Sequence, residues 1–154
     1  MIINIGEEIS MKLEDIQENW KVDSVIDKTE ISDETIKIPK LHHKYYQILI
    51  HEKLVLRQFE SEMKKLKLEK YEFYTQGHDE ETKKKGWKLP AKGLILKADI
   101  PMYMEADEDI IQLSLKIGYQ QEKIEFVDSI IRTLMNRGYQ LKVVVDWEKF
   151  KNGI

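Results

Sequence analysis

From residue 41 to residue 77 the apolar positions recur every three or four residues. Leu41, Tyr45, Ile48, Val55, Phe59, Met63, Leu66 and Phe73 fall near one stripe. This is the spacing of an amphipathic helix. Glu52 and Lys70 interrupt the stripe, and no Gly or Pro breaks the run before Gly77. At ~1.5 Å per residue the helix would span on the order of 55 Å, longer than a small domain is wide. Such a stripe needs a second long helix, another subunit, or both. Ser32 and Asp33 are good N-cap residues, and Pro39 is tolerated only near a helix start. The pattern therefore predicts that the helix begins between residues 33 and 40.

A second long helix is predicted from residue 110 onward. Ile110, Leu113, Ile117, Gln120, Ile124, Val127, Ile131 and Leu134 alternate at spacings of three and four, as the a and d positions of heptads do. Asp107 or Asp109 supplies an N-cap, and Asn136-Arg137-Gly138 reads as a basic last turn with a glycine stop. Leu115, Phe126, Ile130 and Met135 widen the apolar face beyond one seam. A face so broad calls for more than one partner helix. The seam from Ile110 to Leu134 is accordingly expected to be an oligomer interface, with Gln120 fixing register.

The remaining segments are shorter. Leu13, Ile16, Trp20 and Val22 predict a short helix with acidic residues in its first turn, and Trp20 reads as a core or interface anchor. Residues 23–33 read as a connection, and 1–10 as a loosely ordered leader ahead of a single helical domain over 11–154. Gly77 opens a charged loop to residue 92, with one helical turn expected at 79–85. Leu94 to Leu96 and Ile100 to Met104 are short apolar pieces that leave room for a small β element over 93–104. A last short helix is expected from about 141 to 151. The fold class is thus mainly α, with two long amphipathic helices and short terminal helices.

Composition narrows the chemistry. The chain has 154 residues and no Cys, which excludes a disulfide framework and any Cys-based metal site or nucleophile. His42 and His43 are adjacent and point different ways on a helix, and with His51 they lack zinc-type spacing. No phosphate-binding glycine loop, nucleophile elbow or helix-borne metal motif is present, so no enzyme, cofactor or metal is expected. No stretch approaches the ~20 apolar residues of a membrane span, and residues 1–10 lack a secretory pattern. The protein is expected to be soluble and intracellular.

Charge is unevenly distributed. The net charge is −3, yet residues 1–36 carry −7, residues 37–92 carry +6 and residues 93–154 carry −2. In the basic middle, cations alternate with rings: Lys64, Lys65, Lys67 and Lys70 run into Tyr71, Phe73 and Tyr74, and Lys83, Lys84, Lys85, Trp87, Lys88 and Lys92 follow. Such interleaving suits single-stranded nucleic acid, where cations track phosphates and rings stack on unpaired bases. The competing readings are a coiled-coil adaptor, whose lysines are only a solvated helix face, and a duplex-binding regulator. The last lacks a turn-linked helix pair for a major groove.

Several blocks, taken together, resemble the UvsY family of recombination mediators of T-even and related phages, above all the cyanophage versions. They are LEDIQENW (13–20), VIDKTE (25–30), KIPKLHHKYY (37–46), MKKLKLEKYEFY (63–74), IPMYMEADEDI (100–110), KIGYQQEK (116–123), and NRGYQLK with DWEKFKNGI at the end. They span residues 11–154. The resemblance implies a non-enzymatic, ring-like homo-oligomer that binds single-stranded DNA. It would help load a RecA-like recombinase, UvsX, onto strands coated by the phage single-strand-binding protein, in the cytoplasm of the infected host. In the T-even version a basic pair tied to DNA binding precedes a Tyr-Tyr-Ser-Gly segment. Here Lys70 matches the second basic residue. The first falls nearer Leu68, beside Lys67, and Phe73-Tyr74 stand for the tyrosines.

Overall fold

A computed structural model describes residues 10–154. Five helices follow in order: α1 (Leu13–Asp23), α2 (Ile31–Gln76), α3 (Glu80–Lys84), α4 (Ile100–Glu105) and α5 (Glu108–Lys151). The contacts divide into two compact units. One combines the described residues up to Val55 with Gln121–Ile154; the other is Leu56–Gln120. Both long helices contribute to each unit. Of the expected 1–10 leader, residues 1–9 lie outside the described residues, whereas Ser10 donates to Glu52 at 2.9 Å.

In the first unit, Ile16 of α1, Tyr45 and Leu49 of α2, and Val127, Ile130, Ile131 and Leu134 of α5 form one buried core. Trp20 packs on it, edge to face with Tyr45 at 5.5 Å between centroids. The C-terminal part of the α5 seam is thus covered within the chain, whereas Leu113, Ile117 and Ile124 are half-buried. Val127, Ile131 and Leu134 are core residues of this unit. Two polar devices close the unit. Buried Arg137 donates to the carbonyls of Asp23 and Ser24, satisfying the open carbonyl end of α1 with a positive charge. Lys123 donates to Ser10 Oγ, the Met11 carbonyl and Glu52 Oε2 at 2.6, 2.8 and 2.9 Å.

Three boundaries differ from the expectation, each because burial outweighs a local preference. Helix α2 starts at Ile31, so Pro39 lies inside it. An internal proline costs about 3 kcal/mol. The helix is carried past it because Leu41, Tyr45 and Leu49 just beyond pack in the core of the first unit. Helix α5 runs through Gly138 to Lys151 and absorbs the expected separate helix over 141–151. Gly138 is not among the glycines with positive φ. The chain beyond it stays helical because Arg137 and Leu141 are buried. No strand occurs among the described residues. The expected β element over 93–104 is replaced by turns and by α4, whose first turn holds Pro101, a position where the missing N–H is no loss.

Other local signals are realised. Gly77 adopts φ 90° and its N–H returns to the Phe73 carbonyl, ending α2. Asp79 and Thr82 form a reciprocal capping box at α3. Asp107 Oδ1 accepts from the N–H groups of Asp109 and Ile110, capping α5. No helix among the described residues is long and apolar enough to cross a membrane.

Candidate nucleic-acid interface

The second unit carries the basic-aromatic segment. Its small core consists of Phe73 and Tyr74 from the end of α2, Ile95 from the loop and Ile100 from α4. Trp87, Leu89, Tyr103 and Met104 pack against it. The loop is tied to α2 by the Ile95 N–H, which donates to the Tyr74 carbonyl at 3.0 Å. Phe73 meets the rings of His78 and Trp87 at 5.1 and 5.4 Å. The core is built largely of the rings that the sequence offered for base stacking.

Beneath the loop lies a buried ionic cluster. Lys70, only 4% exposed, places its ammonium 3.0 Å from Asp107 Oδ2 and 2.7 Å from Asp109 Oδ2. Tyr74 donates to the same Asp107 Oδ2 at 2.6 Å. The Lys70 ammonium also lies 3.8 Å from the centre of the Trp87 ring, a close cation–π contact. Burial pushes the Asp107 carboxyl up. Hydrogen bonds from Tyr74, Lys70 and the Ile110 N–H outweigh that effect and hold it below the usual carboxylate range. Burial and the bond to Asp107 push the Tyr74 phenol well above its ordinary value, so it stays a donor.

The expected contact residues separate into two groups. Lys64, Lys65 and Lys67 on α2, Lys83 and Lys84 on α3, and Lys88 are exposed. Tyr71 is exposed beside them. Lys64, Lys67 and Tyr71 are spaced to lie on one face of α2. Lys85 is exposed but held, 2.9 Å from Glu69 and 5.0 Å from the Trp87 ring centre. Lys70 and Tyr74, expected among the DNA-contacting residues, face inward and are buried. A lysine at the bottom of an apolar stripe must find a carboxylate, and Asp107 and Asp109 provide it. Trp87 is half-buried, with the ammonium groups of Lys70 and Lys85 both near its ring. Lys97 was not singled out in the sequence. It is exposed, and with Lys67 it lines an apolar groove between α2 and α4. Its only signal was a lone cation in the Leu94-to-Ile100 apolar stretch.

The histidines do not assemble. His42 stacks on Tyr46 at 5.7 Å, and no group of three or more metal-ligating side chains is gathered among the described residues.

Recombination protein uvsY of Enterobacteria phage T4 is 22% identical over 144 residues, covering 93% of this chain and 99% of that one. A crystal structure of the bacteriophage T4 recombination mediator protein UvsY matches with a TM-score of 0.74 at 22% identity, over 92% of this chain and 98% of that chain. A second lattice form matches with a TM-score of 0.73 at 20% identity, over 92% and 99%. These likenesses establish a shared helical fold. The family model described as "Recombination, repair and ssDNA binding protein UvsY" matches residues 19–154, through both long helices and the basic loop between them, and the chain belongs to that family.

Proposed function

We propose that this chain is a phage recombination mediator that binds single-stranded DNA and helps load a RecA-like recombinase of the UvsX type. The loading would take place on strands coated by single-strand-binding protein, in the cytoplasm of an infected bacterium. The observation that carries this reading is the set of exposed lysines at the end of α2, on α3 and in the loop, in a family described as single-strand binding. Lys64, Lys65, Lys67, Lys83, Lys84 and Lys88 contact phosphates, and Lys85 joins them when Glu69 releases it. Tyr71 stacks on bases. Lys70, Tyr74 and Trp87 act as positioning residues: they tie the loop to the helices and keep the exposed lysines in place.

A ring-like homo-oligomer multiplies these weak contacts by raising the effective concentration of neighbouring sites. Exposed Met135, Tyr139, Val143, Trp147 and Phe150 on α5 supply an apolar stripe of the right spacing for self-association. The same stripe supports the second reading, an oligomeric coiled-coil adaptor without DNA binding. Acidic residues ahead of α2 offer a surface to a basic partner protein.

The test is salt-dependent binding of a fluorescent ~30-nucleotide single strand beside a duplex of equal length, with light scattering on the same sample. Preference for the single strand, falling steeply with salt, is expected on an oligomer. An intact oligomer that fails to bind at low salt would leave the adaptor. Recombinase loading is then read as faster filament growth on coated strands, and no acceleration would remove the mediator step.

A further inference from the structure

Two concave sites flank the basic segment, and their linings differ in sign. One, of about 250 Å³, is bordered by Glu69, Glu72, Asp79 and Glu81 against a single lysine, Lys85, and would repel a phosphate chain. The other, of about 390 Å³, is an apolar groove formed by Tyr71, Ile100, Pro101 and Met104. Its cations are Lys67 and Lys97, and its one carboxylate is Glu105. A volume of this order suits a small flat ligand.

We propose that this groove is a subsite for one unpaired nucleobase, with Tyr71 as its stacking wall and Lys67 and Lys97 holding the adjoining phosphates. The proposal rests on the single-strand-binding reading and goes beyond it by assigning where a base is held. Three observations converge on that occupant. Lys64, Lys67 and Tyr71 share a face of α2, so a backbone tracked by the two lysines delivers a base to the ring. The groove combines an exposed phenol ring with buried Ile100 and half-buried Met104, a dry contact for a base face. Its two cations lie on separate elements, Lys67 on α2 and Lys97 in the loop before α4, and so bracket the opening with positive charge. The lining is mostly apolar, so the site should take any base with little sequence preference. A paired and stacked duplex base cannot reach it.

The test compares a 30-mer of thymidine with a 30-mer of abasic tetrahydrofuran sites carrying the same phosphates, by fluorescence anisotropy on the full chain. The wild type should bind the thymidine strand roughly tenfold more tightly. Tyr71→Ala and Met104→Gln should erase that ratio while keeping binding of the abasic strand and its salt slope. Tyr71→Trp serves as a reporter should Met104→Gln fail to fold. Its added fluorescence should be quenched by the thymidine strand and not by the abasic one. Equal wild-type affinity for both strands, or an unchanged ratio in Tyr71→Ala, would overturn the base subsite while leaving phosphate binding intact. A change in sedimentation with no change in the ratio would make the groove a protein contact and likewise overturn it. Failure to bind either strand at low salt would remove the single-strand reading itself, and the subsite with it.

Discussion

Two charges interrupt the apolar stripe of α2, Glu52 and Lys70, and both are buried against an opposite charge. Glu52 meets Lys123 in the first unit with side-chain exposures of 0% and 3%. Lys70 meets Asp107 in the second with 5% on each side, but also Asp109, whose side chain is 51% exposed. The first pair is sealed, bonded to Ser10 and to the chain ahead of α1, and lies among the helices that form the larger core. The second is open at one edge, lies under the Trp87 ring, and fixes the loop beside the exposed lysines. One chemistry therefore serves two ends. In the first unit a buried pair selects which helix faces meet. In the second it holds the loop beside the exposed lysines.

Breaking the sealed pair should have the largest effect. Lys123→Met leaves the Glu52 carboxylate buried without its ammonium, and should destabilise the chain by about 3–5 kcal/mol in urea unfolding. Adding Glu52→Leu should restore most of that loss, because a well-packed apolar pair replaces the ions. If the double variant is no more stable than the single one, the pair is not the origin of the loss.

Asp107→Asn sharpens the comparison. Asparagine can still cap α5 through its single oxygen, but its amide NH2 then faces Lys70 and Tyr74, so the charge and the bond from Tyr74 are removed together. With Asp109 remaining, the loss should be about 1.5–3 kcal/mol, smaller than for Lys123→Met. The pH dependence has a definite sign. Asp107 is depressed in the folded state, so its stabilisation is present above the ordinary carboxylate pKa of about 4 and is lost as pH falls through the lower folded value. Asp23, depressed by Lys44 and Tyr45 against its own burial, adds acid lability of the same sign in the first unit. The Asp107→Asn variant should lose the Asp107 part and keep that of Asp23 and of the other depressed carboxylates, Asp27 and Asp79. Acid unfolding followed through Trp87 fluorescence would show the difference, and an unchanged acid limb would assign the lability elsewhere.

The smallest effect belongs to the surface. Lys85 and Glu69 are 43% and 47% exposed, so Glu69→Ala should change stability by no more than about 0.5 kcal/mol. It should also release Lys85 and modestly strengthen single-strand binding at low salt. Weaker binding would mean that the pair, like that at Lys70, organises the surface.

Much of the fold could be read locally. The periodicity of residues 41–73 and 110–134 located both long helices. Gly77, the Asp79–Thr82 turn and Asp107 punctuated the chain as their chemistry requires. Helix ends were less legible where tertiary burial competes with a local rule. Pro39 looked like a start and Gly138 like a stop, yet packing of nearby residues carries the helix past both. The site was legible as a segment, not residue by residue. Lys64, Lys67 and Lys70 are equivalent in composition, but Lys70 lies on the apolar stripe and Lys64 and Lys67 do not.

The sequence by itself determined that two long helices form, which face of each is apolar, and that positive charge gathers in the middle of the chain. These follow from short-range spacing and local backbone preference. Only the tertiary structure decided what covers those faces. It turned the seam at Val127, Ile131 and Leu134 into an internal core, Lys70 into the centre of a buried cluster, and Lys97 into a neighbour of Lys67. Periodicity specifies a direction for a side chain but not its partner. The partner is set by contacts between residues far apart in the chain, where desolvation forces each buried charge to find its opposite.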